Sequence, residues 1–172
     1  MKPLAIILDR DGTLASVHNG PTKRTSKGSK EDKEDWAAFN AALRFDALVP
    51  EVAALLRAIR PGVVRIMVSG RAEGDHPGDR RRRFAMKDWI NKYDLPIDLL
   101  LMRTGGDQRK DSVVKEEILV EKILPYYNPV VAIDDRFEVI EVWRKYGIYT
   151  IAVTNDPTRL PPIALQTPQD SS

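Results

Sequence analysis

The feature that most constrains this chain is a set of short apolar runs, each ending on a polar or charged residue and each separated from the next by a longer segment. The runs are Leu4 to Asp9, Val63 to Ser69, Ile97 to Arg103, Val130 to Asp134 and Tyr149 to Val153. They are nearly continuously apolar rather than alternating, as expected of parallel strands covered on both faces. Pro50 to Arg60, Arg82 to Tyr93, Ser112 to Leu124 and Phe137 to Tyr146 carry apolar residues three and four apart, which predicts amphipathic helices. Strand alternating with helix specifies a layered α/β domain built on a parallel sheet. With 172 residues the chain suits one such domain, expected over residues 1–155. Two segments fall outside the pattern. Residues 16–35 have almost no apolar side chains and read as a charged surface loop, and residues 156–172 read as a Pro-rich tail.

Composition removes several classes of function. No cysteine is present, so disulfides and thiolate metal sites are excluded, and a cytoplasmic setting is the expectation. No apolar run is long enough to cross a bilayer, and only Lys2 precedes the first apolar segment, which speaks against a secretory signal. A net charge of +2 does not by itself imply a polyanionic partner.

The polar strand ends carry the chemical information. In open parallel sheets ligands sit beyond the carboxyl ends of the strands, where the strand order reverses. Asp9 falls at such an end, as do Ser69, Arg103 and the pair Asp134-Asp135. With the fourth strand beside the first, Asp9, Asp11, Asp134 and Asp135 converge, and four acids in one place repel one another unless a cation compensates. Oxygen-only ligands with no His or Cys nearby favour Mg²⁺ over zinc. The plainer reading of Asp11-Gly12-Thr13 is a turn or helix cap. Ser69-Gly70-Arg71 offers a hydroxyl, a glycine that lets amides approach an anion, and a guanidinium able to grip phosphate oxygens in two places. Taken alone it also reads as a plain turn. Lys115 lies in the first turns of a helix, where a cation opposes the helix dipole and is costly without an anion before it. On its own it would be a solvated lysine. Together, and in this order, these residues say more than any one of them.

Asp9-Arg10-Asp11-Gly12-Thr13, Ser69, Lys115 and Asp134-Asp135 match in order the four motifs of the haloacid dehalogenase (HAD) superfamily, which the chain resembles. VSGRAEGD, the MR of LLLMRTGGD, GDQRKDSVVKEEI, AIDDRFEVIEVWRKYG and the tryptophan of MKDWI are similar to the 3′-phosphatase domain of polynucleotide kinase/phosphatases, enzymes that heal DNA and RNA ends. The resemblance implies a Rossmann-like three-layer α/β/α fold with a five-stranded parallel sheet in the order 3-2-1-4-5 and a minimal cap or none. It implies Asp9 as a nucleophile that forms an aspartyl-phosphate and Asp11 as the acid and base for the 3′-oxygen and the attacking water. Ser69 and Lys115 would complete the electrostatic cradle. Mg²⁺ would be held by Asp9, the backbone carbonyl of Asp11, and Asp134, with Asp135 in the same acidic group. Thr13, Gly70, Arg71 and Arg103 would bind the substrate, and Asp111, one turn before Lys115, would orient that lysine.

The expected partners are therefore 3′-phosphate ends of DNA or RNA, with the choice between them open. No G-x-x-x-x-G-K-[ST] loop occurs, so the kinase chemistry would come from elsewhere and a separate kinase or ligase partner is expected. Basic residues at 23–30 and Arg80 to Arg83 suggest a phosphate backbone as counterpart, although Glu31 to Asp35 and Asp79 offset them in part. Trp89 and Trp143 sit at helical positions and read as core, while Trp36 adjoins the charged loop. Two other readings stand beside this one. The same chemistry could serve a nucleotide or sugar phosphate. A non-catalytic receiver module also combines acids, a hydroxyl and a lysine at strand ends, but with its acidic pair on the first strand rather than the fourth.

Overall fold

A computed structural model describes residues 1–16 and 42–153. The expected loop at 16–35, save Ser16, Trp36, and the expected tail at 156–172 lie outside the described residues. The strands are β1 (Leu4–Leu8), β2 (Ala15–Ser16), β3 (Ala47–Leu48), β4 (Val64–Ala72), β5 (Leu99–Arg103), β6 (Asn128–Asp134) and β7 (Tyr149–Ala152). The helices are α1 (Pro50–Ala58), α2 (Arg81–Lys92), α3 (Asp111–Ile118) and α4 (Phe137–Lys145), with a 3-10 turn at Ala42–Phe45. Five strands form one parallel sheet in the order β5-β4-β1-β6-β7. Numbered over the main sheet alone this is 3-2-1-4-5, and the detail not foreseen is a separate antiparallel ribbon in which Ala15 faces Leu48.

Alternation along the central strands explains why the runs are continuously apolar. Ile6 and Leu8 of β1, with Met67, Leu100 and Ile133, face Val52, Ala53 and Leu56 of α1 and Met86, Trp89 and Ile90 of α2. Ala5 and Ile7, with Ile66, Val68 and Ala132, face Val114 and Ile118 of α3 and Val139 and Trp143 of α4. The central strand β1 is thus buried on both faces, so neither has room for polar residues until the chain leaves the sheet.

Two departures from regularity bear on the site. The stretch expected as one helix from Ser112 to Leu124 is α-helical only over Asp111–Ile118 and continues as a π turn over Leu119–Ile123. Uninterrupted α periodicity would send Lys122, four residues after Ile118, into the core. The wider turn puts fully buried Ile123 there and leaves Lys122 exposed. The second departure is in β4. It runs past Ser69 to Ala72, and its pairing with β5 jumps from Ser69–Met102 to Ala72–Arg103, leaving Gly70 and Arg71 as a bulge. Such an insertion re-aims a side chain at the edge of a sheet.

Candidate active site

β1 and β6 are hydrogen-bonded neighbours in register, so their carboxyl ends lie side by side. The Asp9 amide donates to Ile133 O at 2.9 Å, which extends that pairing one step beyond the strand and fixes the first acid against the second strand. Asp9, Asp134 and Asp135 each present a carboxylate oxygen within 4.8 Å of the others. Asp9 and Asp134 are almost fully buried.

One lysine partly balances this charge. Lys115 Nζ donates to Asp9 Oδ1 at 2.6 Å and to Asp134 Oδ2 at 3.0 Å, and lies 3.5 Å from Asp111 Oδ2, one helical turn back. Burial alone would drive the lysine toward its neutral form, but Asp9, Asp134 and Asp111 outweigh that and raise its proton affinity above that of a free lysine. The lysine is therefore cationic, and its place early in α3 is explained by the acids before it rather than by solvent. Asp134 is held further by the Arg136 amide on Oδ1 at 3.1 Å and by Trp143 Nε1 on Oδ2 at 3.3 Å. Trp143 thus packs as core and also fixes a site acid.

The remaining oxygens are suited to a cation. Asp9 Oδ2 and Asp135 Oδ1 are buried without a hydrogen-bond partner. Desolvation first, and then the neighbouring acids, push the Asp9 carboxyl well above the ordinary range in spite of Lys115. The same two causes push Asp135 up to about 6. A buried carboxylate oxygen with no donor is unfavourable, and three oxygen ligands converging on one place are what a hard divalent ion accepts. Gly12, at φ +90°, makes this approach feasible, because a β-carbon there would overlap the Asp135 carboxylate. The residues present fit a metal ion.

Asp11, also expected among the acids, is turned to other partners. Its Oδ1 accepts Arg10 Nη1 at 2.5 Å and Arg71 Nη2 at 2.9 Å, and its Oδ2 accepts Arg71 Nε at 2.7 Å. Burial pulls its carboxyl upward, but Arg71 and Arg10 prevail and hold it below the usual range. The side chain accordingly stands outside the group of three, although the backbone that carries it leads directly out of β1.

The other expected residues flank these two clusters. Ser69 is buried at the end of β4 and its Oγ accepts the Arg71 amide at 3.2 Å. Thr13 is fully buried with its Oγ1 unpartnered. Gly70 leaves room for Asp111, whose carboxylate occupies the place a β-carbon would take. Arg103, expected on the substrate phosphate or its neighbour, places Nε on Gly70 O at 2.6 Å, Nη1 on Arg109 O at 2.5 Å and Nη2 on Asp111 Oδ1 at 3.4 Å. Arg136 reaches the other oxygen of Asp111 at 3.3 Å.

Arg80 to Arg83 do not form a bare cationic patch. Arg80 pairs with Glu73 at 2.9 Å, Arg81 with Asp75 at 2.7 Å and with Asp79, Arg82 with Asp75, and Arg83 with Glu73 at 2.8 Å. Acids of the preceding loop offset this cluster within the chain.

Sequence reasoning missed Asp46. It is 2% exposed and pairs with Arg10 at 2.8 Å and Arg71 at 3.3 Å. It stands between a 3-10 turn and a two-residue strand, where no periodicity marks it. Arg10 had no assigned role, yet it is fully buried, with its guanidinium 4.5 Å from the centre of the Trp89 ring.

Comparison with known proteins agrees with this geometry. The family described as "Polynucleotide kinase PNKP phosphatase domain" matches residues 3–157. Among solved structures, the Pnkp1 chain of a Pnkp1/Rnl/Hen1 complex is 29% identical with a TM-score of 0.68, covering 88% of this chain and 46% of its own. A second, titled a Pnkp1/Rnl/Hen1 RNA repair complex, is 29% identical with a TM-score of 0.69, covering 88% and 42%. The chain thus spans less than half the length of either. A haloacid dehalogenase-like hydrolase from Streptococcus pneumoniae, SP0104, shares the fold at 14% identity and a TM-score of 0.56, covering 86% of this chain and 83% of its own. The match over residues 3–157, laid on a sheet whose first and fourth strand tips gather the site acids, establishes that the chain belongs to the polynucleotide kinase PNKP phosphatase-domain family of HAD phosphatases, hydrolases of phosphoric monoesters.

Proposed function

We propose that the chain is a Mg²⁺-dependent polynucleotide 3′-phosphatase that works through an aspartyl-phosphate on Asp9. The observation that carries this reading is the buried, partnerless Oδ2 of Asp9 beside Asp134 and Asp135, with Lys115 on its other oxygen. The substrate class is supported by the family and by the likeness to Pnkp1, one of whose structures is titled an RNA repair complex. Asp9, Asp134 and Asp135, with the backbone carbonyl of Asp11, would hold Mg²⁺, which when bound supplies charge neutralisation at the phosphoryl oxygens and a fixed orientation for attack.

The chain's own residues do the rest. Lys115 favours the ionised form of Asp9 against the pull of burial and the neighbouring acids, and orients it so that one of its oxygens faces the phosphorus. That oxygen forms a bond to phosphorus while the bond from phosphorus to the 3′-oxygen breaks. The electron pair leaves on the 3′-oxygen, which takes a proton from Asp11; Asp11 gains that proton when Arg71, whose charge otherwise keeps it ionised, turns to the substrate phosphate. In the second step Asp11 removes a proton from water, the water oxygen bonds to phosphorus, and the bond to Asp9 breaks to release phosphate. Ser69 and the amides around Gly70 stabilise the charge that develops on the phosphoryl oxygens. Asp111 positions Lys115, and Thr13 closes the turn that carries Asp11 through its amide on Arg10 O at 3.2 Å. Arg71 is bidentate on Asp11 in the resting site, so gripping the substrate phosphate requires it to turn away from that acid. Kinase or ligase chemistry on the same end would come from a separate partner.

The test is phosphate release from a 3′-phosphorylated oligonucleotide, with and without Mg²⁺, beside the corresponding mononucleotide. The expected result is Mg²⁺-dependent release that favours the oligonucleotide and is abolished by Asp9→Asn. Activity that survives the substitution removes the nucleophile. Equal or better turnover of the mononucleotide moves the function to small phosphomonoesters.

A further inference from the structure

The charged groups beside the three acids form a closed cycle. Arg10 Nη1 donates to Asp11 Oδ1 at 2.5 Å and lies 2.8 Å from Asp46 Oδ2. Arg71 Nη2 donates to the same two oxygens at 2.9 Å and 3.3 Å. Two guanidinium nitrogens and two carboxylate oxygens therefore alternate around a ring with no net charge. Arg10, Arg71 and Asp46 are each at least nine-tenths buried. Burying unpaired charges of this kind would be strongly unfavourable, whereas the closed arrangement gives each charge two neighbours of opposite sign, with Arg10 Nε left without a hydrogen-bond partner.

Asp46 is the member with the firmest support. Its backbone carbonyl accepts Trp89 Nε1 at 2.9 Å and Tyr93 Oη at 3.3 Å, so α2 fixes its position from below. Trp89 also lies under the Arg10 guanidinium, and Leu43 O accepts Arg10 Nη2 at 2.8 Å from behind. Arg10 is therefore held on three sides by parts of the chain that do not touch the three-acid group. Asp11, in contrast, sits on the turn leaving β1 and takes its side-chain orientation from the two arginines.

We propose that Asp46 is a positioning residue for the reaction: it anchors Arg10 and Arg71, and through them aims the Asp11 carboxylate at the leaving oxygen. This rests on the reading of Asp11 as the acid and base. When Arg71 turns to the substrate phosphate, Arg10 alone keeps Asp11 aimed, and Arg10 stays in place because Asp46 and Trp89 hold it. Without the Asp46 charge the cycle is open on one side, the pull of the two guanidiniums on Asp11 is no longer balanced, and that carboxylate is drawn off its line.

The test compares two leaving groups. A 3′-phosphate ester expels an alkoxide that needs a proton, whereas p-nitrophenyl phosphate expels a phenolate that does not. Asp46→Asn is expected to lower kcat on the 3′-phosphorylated oligonucleotide by roughly a hundredfold, within the usual worth of general acid catalysis, with KM little changed. On p-nitrophenyl phosphate it should lose no more than severalfold. Asp11→Asn provides the reference and should show the same selectivity in larger degree. Adding Asp46→Asn to Asp11→Asn should then cost almost nothing further. Arg10→Lys, which keeps a buried cation but has no second nitrogen for Leu43 O and no planar group to lie on Trp89, loses the hold that fixes the cation in place and should reproduce the pattern if Asp46→Asn folds poorly. Equal losses on both substrates in Asp46→Asn and Arg10→Lys, or losses that multiply fully with Asp11→Asn, would overturn the proposal. An Asp11→Asn variant that loses activity equally on both substrates would instead remove Asp11 as the acid.

Discussion

Two clusters of charge lie within a few residues of each other at the end of β1, and they are built on opposite principles. Around Asp9, three acids meet one lysine, and two buried oxygens are left without donors. Around Asp11, two acids meet two arginines, and every carboxylate oxygen of Asp11 is taken. The oxygens left over in the first cluster are ligands a further cation would accept. In the second, opposite charges balance one another within the chain. A single Asp-x-Asp sequence feeds both, because Asp9 continues the strand's pairing with β6 while Asp11 lies in the turn that follows.

The largest effect that separates the two clusters is expected from Lys115→Met. It leaves Asp9 and Asp134 buried together without their counter-charge, and breaking a buried pair in this way costs about 3–5 kcal/mol. Urea unfolding without divalent ions should show that loss, and Mg²⁺ should restore part of it by supplying charge to the same acids. A loss unchanged by Mg²⁺ would separate the lysine from the metal-binding group.

Next in size is Gly12→Ala. At φ +90° the added carbon is strained, and it would overlap the Asp135 carboxylate. The expected cost is about 1–3 kcal/mol of stability from the backbone, together with weakened Mg²⁺ binding. Mg²⁺ affinity equal to the parent's would show that Asp135 is not required where it stands. Trp143→Phe keeps most of the packing but removes the donor to Asp134 Oδ2, and should cost about 1 kcal/mol. Lowered Mg²⁺ affinity in this variant would tie the tryptophan to the site, and an unchanged affinity would leave it as core alone.

The smallest effect is expected far from both clusters, at Asp79. The Arg81 side chain first, and then the Asp75 and Arg81 amides, hold its carboxyl below the usual range. A carboxylate depressed in the folded state stabilises above its unfolded pKa, and that contribution is lost as the pH falls toward the folded value. Asp79→Asn should lower Tm slightly at neutral pH, and the gap should close as the pH falls below about 4. A gap of the same size at low pH would assign the effect to something other than charge.

How much of this was legible in the sequence depends on which residues carried it. Asp9, Ser69, Arg103 and Asp134 could be found because each ends an apolar run, and a doubly buried strand leaves only its tip for chemistry. The acids themselves made sense of one adjacency, that of the first and fourth strands, while the full strand order was legible only through the family resemblance. Asp46 was not legible: it sits on a short link with no period, and nothing in its neighbours reveals two arginines from β1 and β4. The pairing of Arg80 to Arg83 with Glu73, Asp75 and Asp79 was hidden for the same reason, because a loop carries no register from which contacts can be read. The break in the helix after Ile118 was written in the pattern, as Lys122 falls where an apolar residue is required, but an α-helical period passes over it. Strands and helices announce themselves by repetition, whereas the groups that orient Asp11 come from connections.

The central claim is that the tips of β1 and β6 together bind one divalent cation. Calorimetric titration of Mg²⁺ into the parent protein and into Asp135→Asn tests it most directly, since that substitution removes a site carboxylate without disturbing the Lys115 pairs. The account expects one site in the parent and a loss of about tenfold or more in affinity in the variant. Absence of Mg²⁺ binding by the parent, or equal binding by the variant, would contradict it.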